Sequence, residues 1–336
     1  MMEPSTSQCL TGPPTSNLGI TAPELLVDVN ILPELPDAVR ILNVEHLPGS
    51  RWARISRVQV CQSDGGEESY FIKISLGHQG RKALEGEFEA TSAIYAVVPN
   101  FCPKPIAWGS LEGEPDAYFY LCKYHNFTDA LPQPGPLCAK LAELHNSDTS
   151  PDGKFGFHCT TFNGDMPQKN DWCDTWESFF TGALRYVLQV REERAGPNAT
   201  LDALLPALYH KVIPRLLRPM ESNGRELRPS LVHGDLWFGN TAVERCSGNV
   251  IVFDPAGFYG HNEYELGNWR PERNKFRDGG YFEAYHAHIG RTEPKEDYDD
   301  RNALYAVYVV CMLLPLLFLC LRLRIILHYY HLPLSL

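Results

Sequence analysis

Along the first 22 residues the apolar positions show no period, and Ser, Thr, Pro and Gly dominate, which predicts a disordered tail over residues 1–22. From Ile41 onward the pattern becomes strand-like in two runs, Trp52 to Val60 and Ser69-Tyr70-Phe71-Ile72-Lys73-Ile74. Asp64-Gly65-Gly66 between them has turn chemistry, so the pair predicts a β-hairpin. The period then lengthens: Leu84, Phe88 and Tyr95 recur at helical spacing and predict a helix over Arg81 to Val97. Ala117 to Cys122 reads as another strand, running into Lys123-Tyr124-His125. Leu137, Leu141 and Leu144 predict a helix over Pro136 to His145. Residues 154–180 are dense in aromatics, with Trp172, Trp176, Phe179 and Phe180 spaced along one helical face. A further helix is expected over Leu201 to Leu217, started by Asn198 or Thr200 and bent or interrupted by Pro206 and Pro214.

Polar residues set into this pattern carry the candidate chemistry. His233, Gly234, Asp235 and Asn240 have the spacing of the catalytic loop of ATP-dependent phosphotransferases, in which an Asp takes the proton of the attacking hydroxyl and an Asn holds magnesium. An apolar run, Val250 to Phe253, then delivers Asp254, a second metal-ligand candidate. His-Gly-Asp alone is also ordinary turn chemistry; the full constellation favours phosphoryl transfer. Lys73 sits mid-strand, either on a solvent face or aimed at a nucleotide's phosphates, and Asp235 and Asp254 downstream favour the second. One of Glu85, Glu87 and Glu89 should pair with it; Glu87 is chosen because Phe88 beside it should face the sheet. Cys122, Lys123 and Tyr124 stand where a kinase linker gives backbone amides to adenine, although an edge strand explains them too. Only Pro48-Gly49-Ser50 offers a flexible phosphate cover. Gln168 and Asn170 either reach substrate or serve turns.

Composition removes several alternatives. A net charge of −11 argues against a nucleic-acid partner. The ten cysteines form no C-x-x-C pair, which fits a reduced cytoplasmic setting better than a disulfide framework. The N-terminus lacks the basic flank and apolar core of a signal peptide. At 336 residues the chain suits two lobes better than one.

His233-Gly-Asp-Leu-Trp-Phe-Gly-Asn240 and Asp254-Pro-Ala-Gly-Phe-Tyr-Gly-His-Asn-Glu-Tyr-Glu-Leu266 resemble two signature segments of the fructosamine or ketosamine 3-kinases. Lys154-Phe-Gly-Phe-His158, Pro167-Gln168, the aromatic series from Trp172, and Phe71-Ile72-Lys73 followed by Glu85-Gly86-Glu87 match as well. The resemblance covers roughly residues 35–306. It implies an α+β, two-lobed protein-kinase-like fold, with a small antiparallel-sheet N-lobe over 23–122 and a mostly helical C-lobe over 123–306. It implies ATP and Mg²⁺, with Asp235 as base, Asn240 and Asp254 as metal ligands, and Lys73 with Glu87 as phosphate clamp. His233 and Trp237 become the substrate-side candidates. The acceptor would be the 3-hydroxyl of a ketosamine, free or on a glycated protein, and the phosphorylated product could then release its amine by elimination. A monomer is expected. Alternatives are a catalytically silent binding module or a kinase for another alcohol.

The chain departs from the family at its thin phosphate loop and its C-terminus. Residues 307–336 are atypically apolar, and Ala303 to Leu321 holds no charge before Arg322 and Arg324. A buried closing helix, a membrane anchor through 303–321 and an altered chain ending compete. Pro315 and the fit of Ala303-Leu304-Tyr305 to the kinase body favour the altered ending.

Overall fold

Strand parity decides which way the N-terminal sheet faces. In the computed structural model, which describes residues 27–49, 53–147 and 149–313, five antiparallel strands form that sheet. They are β1 (Ala38–Leu47), β2 (Arg54–Gln62), β3 (Glu67–Leu76), β4 (Pro105–Ser110) and β5 (Ala117–Lys123), in the order β1-β2-β3-β5-β4. Val58, Val60, Tyr70, Ile72, Phe119 and Leu121 share one face and pack under Ile31 and Leu35. The alternate positions, Phe71 and Lys73 on β3 and Tyr120 and Cys122 on β5, necessarily share the other. Helix α1 (Gly77–Val97) covers that second face through Leu84 and Phe88. Lys73 is therefore directed inward, between sheet and helix.

The expected hairpin is β2 and β3, and α1 begins earlier than its period predicts, at Gly77. Strands β1 and β4 escape the sequence pattern. β4 is an edge strand that opens on Pro105, a residue with no N–H for a ladder.

The second lobe is mainly helical. Its first part comprises α2 (Pro134–His145), a two-residue hairpin β6 (Phe162–Asn163) and β7 (Met166–Pro167), and α3 (Trp176–Ala195). Trp172 does not join the face of α3. The Thr175 side chain accepts the Ser178 N–H and caps the helix, so Trp172 precedes the cap and stacks on Tyr259 instead. Trp176, Phe179 and Phe180 do fill the core. The helix expected there is interrupted, as its prolines allowed, into α4 (Ala199–Ala207) and α5 (Ile213–Leu217). Pro214 cannot donate to a preceding carbonyl, and the chain widens into a π-turn over Leu208–Val212, with Ile213 N–H reaching back to Leu208 O.

Short strands β8 (Ser230–Val232), β9 (Thr241–Val243), β10 (Val250–Val252) and β11 (Phe258–Gly260) pair as β8 with β11 and β9 with β10. They carry the central loops. Helices α6 (Asn262–Gly267), α7 (Tyr281–His286) and α8 (Tyr298–Leu313) complete the lobe.

Helix α8 is lobe core as far as its side chains are described: Leu304, Tyr305, Ala306, Val307 and Tyr308 are all at most 2 % exposed. Arg301 and Glu263 of α6 are both completely buried and joined at 3.0 Å. Arg301 also donates to Thr292 O and Pro294 O. Removing either partner strands a buried charge, at a cost of about 3–5 kcal/mol. The start of the apolar run at 303 thus belongs to the lobe, and among the described residues no helix is long and apolar enough to cross a membrane. The part of the run beyond Leu313, and the tail predicted for residues 1–22, lie outside the described residues.

The lobes also touch backbone to backbone where α1 crosses the segment before β6. A Cβ built on Gly86 would fall 2.3 Å from Thr160 O, so only glycine fits that crossing.

Candidate active site

The central loop is held from below by one carboxylate. Glu265 of α6 accepts the N–H groups of His233 (2.5 Å), Gly234 (3.2 Å) and Leu236 (3.3 Å), gathering three amides of one short loop around a single anion. Burial pushes the Glu265 carboxyl up, but His145, His233 and these amides outweigh it and hold the group below its usual value. Gly234 adopts φ +80°, and a Cβ there would lie 2.2 Å from Ala256 O. The loop and the segment after β10 can therefore approach only through glycine.

His233 does not face the cleft, contrary to its expected place beside substrate. It is 1 % exposed; Nε2 lies 3.0 Å from Phe253 O, while Nδ1 receives the Asp235 N–H at 3.3 Å. Burial lowers its pKa, so a neutral ring clips the loop to β10. The motif's spacing does not tell which of its members turns inward.

Asp235 points the other way, into the cleft. Its Oδ2 accepts Asn240 Nδ2 at 3.1 Å and its Oδ1 accepts Asn268 Nδ2 at 3.2 Å. Burial pushes its carboxyl up to about 7, while side-chain hydrogen bonds from Asn163, Asn240 and Asn268 pull against that rise. A carboxylate poised near neutrality between neutral amides suits a general base.

Across the cleft, Lys73 Nζ lies 2.6 Å from Glu87 Oε2 and 3.0 Å from Asp254 Oδ1. Burial opposes its charge, but the two carboxylates outweigh burial and keep the ammonium protonated. Burial likewise raises Glu87, with Lys73 opposing. Asp254 stays ionised because Lys73 more than offsets its burial. Asp254 also holds a left-handed backbone, φ +55°, which Asp tolerates better than most residues.

Asn240 ends a tight turn, Phe238–Asn240. Its Nδ2 is committed to Asp235 O and Oδ2, leaving its amide oxygen as the atom that can serve a cation. One amide oxygen and one carboxylate fit Mg²⁺, which takes few protein ligands and fills its shell with phosphate oxygens and water. Among the described residues no group of three or more His, Cys, Asp or Glu could hold a metal by itself.

Two cavities meet at Glu87 and Asp254. The first, about 480 Å³, is bounded by Leu47, Ile55, Phe71, Cys122 and Phe253 and by the linker from Lys123 to Phe127. Cys122, Lys123 and Tyr124 are all at this cavity, but the amides of Lys123 and Tyr124 are not available to a base. They donate to Lys104 O and Ser69 O, each at 3.0 Å, continuing the sheet. The next amide, that of His125, has no backbone partner among the described residues. His125 closes the Lys123-Tyr124-His125 run that the sequence places at the linker. Its ring is fixed by Glu244 at 2.6 Å.

The second cavity, about 360 Å³, contains Lys73, Asp235, Asn240 and Asp254, with Trp237, Asn163 and Arg273 on its walls. Trp237 meets Phe238 edge to face at 4.8 Å and presents its ring to this space. Asn163, at the end of the two-residue strand β6, and Asn268 and Arg273, in the segment after α6, belong to no recognisable motif, and the sequence offered no signal for them. Gln168 and Asn170 are structural: both are buried, donating to Ala256 O and Cys159 O and sharing Thr161 Oγ1. Gly49 is described, whereas Ser50 and Arg51 lie outside the described residues.

The model of the fructosamine kinase family matches residues 37–317 of this sequence. The chain belongs to that family. A ketosamine-3-kinase of Mus musculus is 30 % identical over 280 residues, spanning 76 % of this chain and 84 % of the relative. Among solved structures, a Thermobifida fusca protein assigned as a fructosamine-3-kinase superposes with a TM-score of 0.68 at 19 % identity, covering 86 % of this chain and 94 % of its own. A thermostable mutant of aminoglycoside phosphotransferase APH(4)-Ia, in ternary complex with AMP-PNP and hygromycin B, superposes at 0.57 with 15 % identity, covering 86 % and 94 %. This fructosamine kinase family chain thus has the two-lobed kinase-like fold expected from its motifs, a five-stranded antiparallel sheet joined to a helical lobe.

Proposed function

We propose that this chain transfers the γ-phosphoryl group of ATP to the 3-hydroxyl of a ketosamine, a ribulosamine or fructosamine that is either free or carried on a glycated protein. The observation that supports it best is Asp235 itself. A carboxylate with its pKa near 7 shares one cavity with Lys73, Asn240, Asp254 and the ring of Trp237.

In this reading the purine lies against the linker, and His125 N–H rather than Lys123 or Tyr124 N–H meets its edge. Lys73, fixed by Glu87, holds the phosphates. Mg²⁺ held between Asn240, Asp254 and the phosphates would neutralise charge that builds on the transferred group. Trp237 gives the sugar chain a flat wall, and Asp235 accepts the proton of the 3-hydroxyl as its oxygen bonds to phosphorus and the bond to ADP breaks. Asn163, Asn240 and Asn268 keep the Asp235 carboxylate oriented. Once enolised between C1 and C2, the product can expel the C3 phosphate, and hydrolysis then frees the amine.

The test is ATP-dependent phosphate transfer to ribuloselysine and fructoselysine, with Asp235→Asn as control. Transfer lost in the variant supports both the acceptor class and the base. A folded, ATP-binding wild-type chain that phosphorylates neither would sink the reading.

A further inference from the structure

The wall of the Asp235 cavity carries a cation that phosphoryl transfer, as set out above, does not use. Arg273 lines that cavity together with Asp235, Trp237 and Asn163. Its guanidinium makes no hydrogen bond or salt bridge among the described residues. Its acidic neighbour Glu272 is turned toward Arg277, at 3.4 Å. The oxygens of Asp235 are served by the neutral amides of Asn240 and Asn268, so the guanidinium is not spent on the base either.

The placement of Arg273 is built rather than incidental. Trp269 is completely buried and donates Nε1–H to Leu236 O at 3.1 Å, inside the central loop. Asn274, 3 % exposed, donates to Asn268 O at 2.8 Å and accepts the Phe276 N–H at 3.0 Å. The Lys275 ammonium sits 4.7 Å above the Phe238 ring. Residues 268–276 are thus strapped to the loop that carries Asp235 and Trp237, and Arg273 is the strap member that faces the cavity.

Lys73 already serves the nucleotide side, between Glu87 and Asp254. The charge that Arg273 feels is Asp235, not Asp254, which puts it on the acceptor's side of the base. Arg273 stays exposed to solvent at the cavity mouth, and its partial burial lowers its pKa with Asp235 opposing. A planar fork of unused donors matches a carboxylate or a phosphate ester.

We infer that Arg273 binds an oxyanion carried by the acceptor itself: either a carboxylate beside the glycated amine or a phosphate ester at the far end of the sugar chain. The inference rests on the ketosamine reading and narrows it, making this chain selective for anionic ketosamines over neutral ones.

Two matched acceptor pairs test it on the full chain. Fructosylglycine and fructosylglycinamide differ only in the carboxylate; a fructosamine of a neutral amine and its 6-phosphate differ only in the phosphate. The wild type should favour the anionic member of one pair by roughly tenfold or more in kcat/KM, the size expected of a charge-assisted contact. The pair that shows the preference identifies which oxyanion is read. Arg273→Gln should bring that ratio near one, and Arg273→Lys should restore part of it, with thermal melts confirming that both variants fold. Equal use of both members by the wild type overturns the inference, and so does a preference that survives Arg273→Gln. Calorimetric affinity for the same pairs in the presence of ADP reads the ratio without turnover. If no ketosamine is phosphorylated, the ketosamine reading fails in the assay while the calorimetry still decides on Arg273.

Discussion

The two ends of the cleft are made of different material. At the end proposed for the nucleotide the walls are apolar side chains of the sheet and a linker whose His125 amide has no backbone partner among the described residues. At the acceptor end they are three amides, an indole and a guanidinium from segments far apart in the chain, at 163, 237, 240, 268 and 273. The first end follows from forming the sheet at all, since alternation alone sends Phe71, Lys73, Tyr120 and Cys122 to one side. The second end is independent of the sheet. Substitutions there can change what is phosphorylated without touching how ATP is held.

The largest expected effect falls at the base in the second cavity. Asp235→Asn should lower transfer by about a thousandfold, within the range for losing a general base. The wild-type rate should rise with pH through about 7, because the reactive form of Asp235 is the carboxylate. The same residue has the opposite effect on stability. Its folded pKa lies above its unfolded value, so ionisation penalises the fold across the window from 3.8 to about 7. Asp235→Asn should therefore melt a few degrees higher than wild type at pH 8. That advantage should vanish near pH 4, and a constant difference at both pH values would contradict the burial of this carboxyl.

Lys73→Met comes next, with a loss of about a hundredfold that appears mainly as a raised KM for ATP; an effect confined to the acceptor's KM would dissolve the division between the ends. Asn268→Leu, at the acceptor end, should be smaller and of a different kind. Removing an amide that holds the Asp235 carboxylate moves the acid limb of the pH profile upward, costing several-fold in kcat/KM at pH 6 with little change above pH 8. The smallest effect sharpens the comparison most. Lys123→Ala should leave the KM for ATP within about twofold, because the Lys123 side chain pairs with Glu68 in partial solvent exposure and such pairs contribute little.

What could be read from the sequence follows the same division. Lys73, Glu87, Asp235, Asn240 and Asp254 come together in the structure because each is set by local spacing on a strand, helix or tight turn. The linker was located by element order, but spacing could not reveal that Lys123 and Tyr124 spend their amides on the sheet and leave that of His125. His233 was misplaced because a motif gives membership without orientation. Trp172 was misplaced because helical spacing continues across Thr175, where the cap ends the helix. Asn163 lies on a strand too short to show a period, and Asn268 and Arg273 lie on none, so only the folded chain brings them to Asp235.

The crossing at Gly86 bears on how the Lys73 clamp is held. Glu87, the partner of Lys73, is the next residue along α1. The helix rests on Thr160 of the other lobe through a contact that has no room for a side chain. A support of this kind fixes where α1 sits and, one residue on, where the Glu87 carboxylate meets Lys73: a side chain at position 86 would push the helix off Thr160 and carry Glu87 with it.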